Sequence, residues 1–234
     1  MNLPPLPACC TPLDDRWPLP FPVPGARLLR TRFDPALWQP EDFPRQGIAP
    51  ARGVAKRQSE FLAGRICARA ALLQLTGHAS VPAVGDDGAP QWPPGLVGSI
   101  THGAGWAAAV VAPASGCQGL GLDLEQLLSA ERAERLAEQI LTANELQRLQ
   151  QLPQEQRALL VTLTFSLKES LFKALYPLVR TRFYFEHAEL LEWSTDGRAR
   201  LRLLIDLSTD WHQGRALEGQ FSQDDDRLLS LVAV

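Results

Sequence analysis

The chain has 234 residues, a length that allows one domain or two small ones. Its apolar content of 45% and charged content of 21% are typical of a globular protein. The net charge of −3 gives no sign of a nucleic-acid-binding protein. The proline-rich start, Met1–Ala8, lacks the regions of a signal peptide, and the longest apolar block, Trp106–Ala112, is too short to span a membrane. We therefore expect a cytoplasmic protein with neither membrane nor nucleic-acid partners.

Cysteine and lysine usage add two expectations. The spacings of Cys9, Cys10, Cys67 and Cys117 fit no zinc or redox motif, which indicates free thiols in a reducing compartment. Arginine is the usual cation of this chain, and the only lysines are Lys56, Lys168 and Lys173. Each lysine therefore marks a position where a compact, flexible ammonium is specifically wanted.

The first part of the chain alternates irregular and regular segments. Residues 1–24 are rich in proline and predict an irregular segment. The elements that follow are a strand at Ala26–Phe33, a loop at Asp34–Pro50, a helix at Arg52–Gln74, and strands at Gly98–His102 and Trp106–Ala112 joined by a glycine-containing turn. The apolar stripe of the helix is Phe61, Ile66, Ala70 and Leu73. Gly77 ends this helix, and the second strand is apolar enough to be buried on both faces.

The start of this helix is basic. Lys56, Arg57 and Arg65 lie in or near its first turns, and Arg57 and Arg65 are about two turns apart on one side. Because arginine binds phosphate bidentately, this side suits a multiply phosphorylated ligand. The alternative is an ordinary solvated helix face. His102, at a strand end, leaves a similar choice between a structural hydrogen bond and a ligand contact.

The second part of the chain predicts helices followed by hairpins. Its elements are a strand at Gly119–Glu125, a short helix that begins at the capping box Thr142–Glu145 and ends before Pro153, a long helix from Gln154 to Tyr176 stopped by Pro177, and strands at Glu189–Trp193, Ala199–Ile205, Ala216–Phe221 and Leu228–Val234. The dipeptide Asp196-Gly197 and the segment Asp224–Asp226 predict the hairpin turns. The order of elements suggests two similar halves, residues 1–115 and 116–234.

The strand Gly119–Glu125 carries the most informative pattern. Its leucines alternate with Gly121, Asp123 and Glu125, so the two carboxylates share the face opposite the apolar one. Gly121 has no side chain to obstruct a ligand on that face. Two neighbouring carboxylates raise each other's pKa, and a shared Mg²⁺ would relieve their repulsion. The alternative is a strand that runs into a solvated acidic turn.

The long helix contains a second charged pattern. Glu169 and Lys173 are four residues apart and share a helix face. Taken alone, such a pair is usually a surface salt bridge worth a few tenths of a kcal/mol, about 0.2–0.5.

Three segments together resemble a known family. They are Gly-Leu-Gly-Leu-Asp-Leu-Glu at 119–125, the Lys-Glu-Ser-Leu-Phe-Lys-Ala core of Phe165–Leu175, and Val-Gly-Ser-Ile-Thr-His at 97–102. In this order they resemble the 4′-phosphopantetheinyl transferases, in particular the long, two-half class of the enterobactin-synthetase activators and surfactin-type enzymes. The resemblance covers about Lys56 to Pro177. It implies an α/β (α+β) fold of two subdomains related by a pseudo-twofold axis, with the active site between the halves.

The resemblance also implies roles for individual residues. The implied Mg²⁺ ligands are Asp123, Glu125 and Glu169, and Glu169 is also the candidate base. Lys173 resembles the lysine that neutralises the pyrophosphate or protonates the leaving group. The implied contacts to the phosphates of coenzyme A are His102, Arg57 and Arg65. Lys56 and Lys168 neighbour these positions and are weaker candidates. Asp87 departs from the pattern, because some relatives have a lysine in that turn.

The implied reaction transfers 4′-phosphopantetheine from coenzyme A to a serine of an apo acyl or peptidyl carrier protein. It needs Mg²⁺ and releases adenosine 3′,5′-bisphosphate. The alternatives are a metal-dependent phosphodiester hydrolase and a non-catalytic module that binds coenzyme A or a carrier. Siderophore and fatty-acid biosynthesis are the expected pathways, and residues 126–150 are a candidate docking segment for the carrier. Two halves in one chain remove the need for a dimer, so we expect a monomer.

Overall fold

The computed structural model describes residues 3–234, which form two compact units. The first unit takes in the chain up to Trp17 and then Pro22–Gln118, and the second consists of Pro18–Phe21 and Gly119–Val234. Part of the predicted irregular segment, residues 1–2, lies outside the described residues. Residues 3–24 contain no helix or strand, in agreement with their proline content.

The first unit is built on a three-stranded antiparallel sheet. Its elements are β1 (Arg27–Arg32), α1 (Asp42–Gln46), α2 (Ala55–Thr76), β2 (Ala83–Val84), β3 (Pro90–Gln91), β4 (Leu96–Gly103) and β5 (Trp106–Pro113). The sheet order is β1-β5-β4, so β5 is the central strand, while β2 and β3 form a separate small hairpin. Residues 107–112 of β5 are at most 1% exposed, which confirms the predicted burial on both faces.

Helix α2 is more deeply buried than predicted. Residues 62–72 are all buried, so the prediction of a single apolar stripe is wrong. One side of the helix, with Ala63 and Cys67, packs with residues of β1 and β5. Another side, with Leu62 and Ile66, packs against Cys9, Phe43 and Ile48 from the preceding segments. Helix α2 is therefore packed against other elements on two of its sides. It ends at Gly77 in the left-handed conformation (φ 77°), as predicted.

The predicted loop at Asp34–Pro50 is also partly wrong. A 3₁₀ turn forms at Pro35–Leu37, where the Asp34 side chain accepts a hydrogen bond from the backbone N–H of Ala36 at 2.9 Å. Helix α1 follows and ends at Gly47, whose φ is 62°. Prolines at the starts of helical turns are compatible with helix geometry, and this explains why they misled the prediction.

The second unit combines a five-stranded antiparallel sheet with three helices. Its elements are β6 (Leu120–Gln126), α3 (Ala130–Ile140), α4 (Ala143–Gln151), α5 (Gln154–Val179), β7 (Ala188–Trp193), β8 (Arg198–Leu203), β9 (Ala216–Asp224) and β10 (Arg227–Ala233). The sheet order is β6-β10-β9-β8-β7. Both predicted hairpins and the capping box of α4 are confirmed. Helix α3 was not predicted, although Ser129 caps it by accepting a hydrogen bond from the backbone N–H of Arg132.

Helix α5 passes through the proline that was expected to stop it. Pro177 lies inside the helix, which ends at Val179. A proline removes its own N–H and its ring crowds the preceding turn, but Pro177 lies close to the helix end and the next residues still complete the last turn. Arg180 is left-handed (φ 55°), and its N–H bonds to the carbonyl of Tyr176 at 2.9 Å. None of the helices formed by residues 3–234 combines the length and apolar character of a membrane span.

Candidate active site

The second unit places the acidic strand and the long helix side by side. Asp123 of β6 is only 3% exposed. Lys173 of α5 donates hydrogen bonds from Nζ to Asp123 Oδ1 at 2.6 Å and to the carbonyl of Leu122 at 3.1 Å. The ammonium is therefore directed at the acidic strand. The interpretation of Lys173 as half of a surface salt bridge within α5 is wrong, because its partner is a buried aspartate on another element.

Glu125 and Glu169 complete a cluster of three coupled carboxylates with Asp123. The pKa of Glu125 is raised to about 7, mainly by burial and further by repulsion from Asp123 and Glu169, while the charge of Lys173 opposes the rise. Burial also raises the pKa of Glu169; Lys173 opposes that rise and Asp123 adds to it. The expectation that the acidic pair repel is confirmed, and the interpretation as a solvated turn is wrong for Asp123, which is buried.

The donor chemistry of this cluster suits a hard divalent cation. All three side chains offer oxygen ligands, which Mg²⁺ prefers, and their mutual repulsion would be relieved by positive charge. Within residues 3–234, however, the side chains as they stand form no ligating group of three or more His, Cys, Asp or Glu. The Lys173 ammonium is bonded to Asp123. The three carboxylates therefore suit Mg²⁺ by donor type and charge. Their side chains would have to rearrange before all three could bind one ion.

Three buried serines beneath Asp123 were missed by the sequence analysis. Ser166 of α5 donates a hydrogen bond from Oγ to Asp123 Oδ2 at 2.9 Å. Ser230 of β10 lies 2.8 Å from Ser166 and 2.8 Å from Ser170 between hydroxyl oxygens. The signal was present in the sequence, because Ser166, Glu169, Ser170 and Lys173 recur at i, i+3, i+4 and i+7. A polar stripe inside a buried helix needs polar partners.

Gly121 has a different role from the one predicted. A Cβ at this position would overlap the carbonyl oxygen of Ser170 and lie 2.7 Å from the backbone nitrogen of Ala174. The backbone of α5 therefore occupies the space that was expected to admit a ligand. Gly119 is similar, since its Cβ would overlap the carbonyl of Ala174. These glycines bring helix and strand backbones together, and this approach places Lys173 beside Asp123.

A second polar cluster lies in the first unit, where α2 faces β4. Arg57 Nη1 is 3.0 Å from His102 Nε2, and His102 Nδ1 is 3.6 Å from Glu60 Oε2. Because arginine can only donate, Nε2 accepts and the ring proton is on Nδ1, facing Glu60. His102 is thus held by two residues one turn apart on α2. Glu60 was not singled out by the sequence, although its spacing from Arg57 puts both on one face.

Arg65 is the buried member of the basic side of α2. It is 6% exposed, and its guanidinium lies 4.6 Å from the centre of the Phe61 ring. Burial lowers its pKa to about 10, with a further contribution from the charge of Arg57. Its buried Nε has no hydrogen-bond partner among the described residues. A solvated helix face is therefore the wrong interpretation for Arg65, whereas Lys56 and Arg57 are exposed.

Lys168 is buried in the structure of the second unit. Its Nζ donates to Glu145 Oε2 at 2.7 Å and to the carbonyls of Ile140 and Phe185, each at 2.9 Å. Glu145 also accepts a hydrogen bond from the backbone N–H of Leu190 at 2.6 Å. The pair joins α3, α4, α5 and β7. A coenzyme contact from Lys168 has no support in this arrangement, because its three N–H groups all serve protein partners.

Replacing Lys168 by methionine is expected to destabilise the protein by about 3–5 kcal/mol, because Glu145 would remain buried without its partner. Both side chains are at most 3% exposed. Urea denaturation would measure the change, with Lys56→Met as the exposed control. A loss below about 1 kcal/mol would show that the pair contributes little to the fold.

Asp87 lies in the turn between β2 and β3. Its Oδ1 accepts a hydrogen bond from the backbone N–H of Ala89 at 3.0 Å. This is a local turn contact of the kind that aspartate commonly makes. The residue therefore has a structural reason to be acidic, and no contact from Asp87 to an anionic ligand is implied.

A cavity opens beside Glu169 in the second unit. Its volume is about 180 Å³, and four of its eight lining residues are aromatic: Phe172, Phe183, Tyr184 and Phe185. The charged residues Lys168, Glu169 and Arg182 lie at the same cavity. The aromatic part of the lining suits an extended, uncharged chain.

Both parts of the chain match known protein families. Residues 43–112 match the 4′-phosphopantetheinyl transferase N-terminal domain, and residues 119–231 match the 4′-phosphopantetheinyl transferase superfamily. Together the two matches cover most of the chain. The chain belongs to the 4′-phosphopantetheinyl transferase superfamily, and the resemblance found in the sequence is confirmed.

Individual relatives agree with this assignment. Enterobactin synthase component D of Salmonella typhi is 40% identical over 167 residues, which cover 69% of this chain and 67% of that protein. The 4′-phosphopantetheinyl transferase Svp of Streptomyces mobaraensis is 37% identical over 174 residues, covering 70% and 66%. The 4′-phosphopantetheinyl transferase PptT of Mycobacterium tuberculosis is 37% identical over 175 residues, covering 71% and 74%.

Proposed function

We propose that this chain transfers 4′-phosphopantetheine from coenzyme A to a serine hydroxyl of an apo acyl or peptidyl carrier protein. The observation that carries the proposal is the cluster of Asp123, Glu125 and Glu169 with the Lys173 ammonium directed at it. The reaction needs positive charge beside the phosphates of coenzyme A, and it needs a base that removes the proton from the serine hydroxyl. The Lys173 ammonium could supply the first, and a carboxylate of the cluster could supply the second. Adenosine 3′,5′-bisphosphate is the leaving group.

Magnesium would be held by Asp123, Glu125 and Glu169. When bound, it would neutralise charge on the transferring phosphoryl group and orient it. The support for this assignment is the all-oxygen donor set and the repulsion among the three carboxylates.

Glu169 is the proposed base that takes the proton from the carrier serine. Its side chain is a carboxylate, a group that can accept a proton in general base catalysis, and it belongs to the cluster with Asp123 and Glu125. It also borders the aromatic cavity, where an uncharged chain such as the pantetheine arm would fit.

Lys173 is the proposed cation for the pyrophosphate of coenzyme A. Two of its N–H groups serve Asp123 and Leu122, which leaves a third for a phosphate oxygen or for protonation of the leaving group. In the first unit, Arg57, Arg65 and His102 are the proposed phosphate contacts. The support for this is the buried Arg65 Nε without a protein partner and the exposure of Arg57.

The identity of the carrier and the pathway is a further part of the proposal. Enterobactin synthase component D is named for siderophore synthesis, so a peptidyl or aryl carrier of a siderophore synthetase is the first candidate. A fatty-acid carrier is the second. The proposed docking segment, residues 126–150, contains α3 and all but the last residue of α4 and carries charges of both signs. We propose that the enzyme acts in the cytoplasm as a monomer.

Intact-mass spectrometry of an apo carrier tests the proposal. The carrier is incubated with the protein, coenzyme A and Mg²⁺, beside a reaction with EDTA and one with a second class of carrier. A mass gain of one phosphopantetheine that EDTA prevents is the expected result. Coenzyme A cleaved without carrier modification would indicate a phosphodiester hydrolase instead. Bound but intact coenzyme A, with neither carrier modified, would indicate a binding module.

A further inference from the structure

A buried polar stripe connects the candidate metal ligand Asp123 to the interior of the second unit. Ser166, Ser170 and Ser230 are all fully buried. The antiparallel register of β6 and β10 sets Ser230 directly opposite Asp123. Helix α5 then brings Ser166 and Ser170 over the same pair of strands. Three hydroxyls and one carboxylate thus share a site from which water is excluded.

The number of protons limits the possible directions of the hydrogen bonds in this series of side chains. Each serine hydroxyl has one proton, and an ionised carboxylate can only accept. Ser166 gives its proton to Asp123 Oδ2, so Ser230 must donate to Ser166 Oγ across their 2.8 Å contact. The proton of Ser230 is then used, so Ser170 must donate towards Ser230, where the hydroxyl and the carbonyl oxygen lie at 2.8 and 3.1 Å.

The consequence is a series in which Ser230 donates to Ser166 and Ser166 donates to Asp123, while the one proton of Ser170 has two acceptors on Ser230, the hydroxyl and the carbonyl oxygen. Each donor is polarised by the next, which strengthens the last hydrogen bond to the carboxylate. Oδ2 of Asp123 is occupied by Ser166, whereas Oδ1 is the atom that meets Lys173. The two oxygens of Asp123 therefore have different partners: Oδ2 accepts a hydrogen bond from the buried Ser166, and Oδ1 accepts one from the Lys173 ammonium.

We propose that Ser166, supported by Ser230, is a positioning residue that fixes the orientation of Asp123 through Oδ2 and leaves Oδ1 as the oxygen that a cation could take over from Lys173. The inference rests on the proposed function of Asp123 as a metal ligand. Without the Ser166 hydroxyl, Oδ2 loses its donor, and the carboxylate is free to turn both oxygens towards Lys173. The ammonium would then compete with the cation for Asp123. Partners behind a metal ligand typically contribute about 10- to 100-fold to metal affinity.

The test compares three alanine variants that each remove one buried hydroxyl. Ser166→Ala removes the donor to Asp123, Ser230→Ala removes the donor behind it, and Ser170→Ala is the matched control, since it lies one turn away on the same helix without touching Asp123. Mn²⁺ is titrated into each protein in the presence of coenzyme A, and free Mn²⁺ is followed by its EPR signal. Thermal unfolding is measured on the same samples, and the KM for Mg²⁺ is compared with the KM for coenzyme A.

We expect Mn²⁺ binding to weaken by about 10- to 100-fold in Ser166→Ala, by less in Ser230→Ala, and by no more than about twofold in Ser170→Ala. The KM for Mg²⁺ should rise in Ser166→Ala while the KM for coenzyme A stays near its wild-type value. A purely structural role would lower the melting temperatures of Ser166→Ala and Ser170→Ala alike and leave their Mn²⁺ affinities equal, and that result would overturn the inference.

Two further outcomes are distinguishable. If Ser166→Ala does not fold, Ser230→Ala decides, because it reaches Asp123 only through Ser166: weaker Mn²⁺ binding than in Ser170→Ala supports the inference, and equal binding overturns it. If the wild-type protein binds no Mn²⁺ and modifies no carrier, the proposed function has failed and the inference fails with it.

Discussion

Replacing Glu169 by glutamine is expected to lower the transfer rate by about 10²- to 10⁴-fold, the usual contribution of a positioned general base. Glutamine keeps the size of the side chain and removes its capacity to accept the serine proton. The same change removes one of three mutually repelling carboxylates, so the fold should be preserved. The rate is measured by intact mass of the carrier under saturating coenzyme A, and stability by thermal unfolding.

The matched control is Glu155→Gln, which makes the same chemical change at an exposed position of α5 outside the proposed docking segment. It should leave the rate unchanged and the stability within about 0.5 kcal/mol of the wild-type value. Wild-type turnover in Glu169→Gln would remove this residue from the catalytic assignment. A loss of folding in the same variant would mean that the carboxylate stabilises the second unit, in conflict with the cost of burial that raises its pKa.

Most elements of the fold could be predicted because their signals are local. The apolar run of β5, the capping box of α4 and the turn at Asp196-Gly197 each depend on a few adjacent residues. The errors arose where burial comes from distant segments. Helix α2 is covered on a second side by Cys9, Phe43 and Ile48, and no periodicity within the helix reveals that cover.

In the candidate site, too, the sequence revealed local patterns and missed contacts between distant segments. The alternation along one strand indicated Asp123 and Glu125, whereas the family resemblance was needed to assign Glu169 and Lys173. The sequence missed Ser230, which comes near Asp123 because β6 pairs with β10. It also kept Lys168 as a weaker candidate beside Lys173, although the two lysines differ in their surroundings. Lys168 donates hydrogen bonds to two backbone carbonyls and to Glu145, whereas Lys173 donates one to Asp123.

The hypothesis that each of the three lysines marks a position needing a compact ammonium has structural support at two of them. A compact ammonium is needed at Lys168, where three acceptors converge on one nitrogen, and at Lys173, which approaches a buried aspartate. A guanidinium spreads its N–H donors over three nitrogens and so would not match the three acceptors that converge on Nζ of Lys168. The exposed side chain of Lys56 offers no such structural reason.

Gly121→Ala is expected to destabilise the second unit by about 3 kcal/mol or more, at or beyond the upper end of the usual cost of overpacking. The added methyl would overlap the carbonyl oxygen of Ser170, which belongs to a helix backbone and cannot turn aside like a side chain. Gly219→Ala is the matched control in the same sheet, since its Cβ would meet the side-chain end of Leu167 at 3.1 Å. Chemical denaturation of both variants measures the difference.

The outcome separates two roles for the glycine beside the acidic pair. A stable Gly121→Ala protein that has lost only its affinity for coenzyme A would restore ligand access as the reason for the glycine. A destabilised protein would show that the glycine is needed for close approach of α5 to β6. That approach sets the 2.6 Å contact between Lys173 and Asp123 and the 2.9 Å contact between Ser166 and Asp123. A residue without a side chain would then position the site by fixing the distance between two backbones.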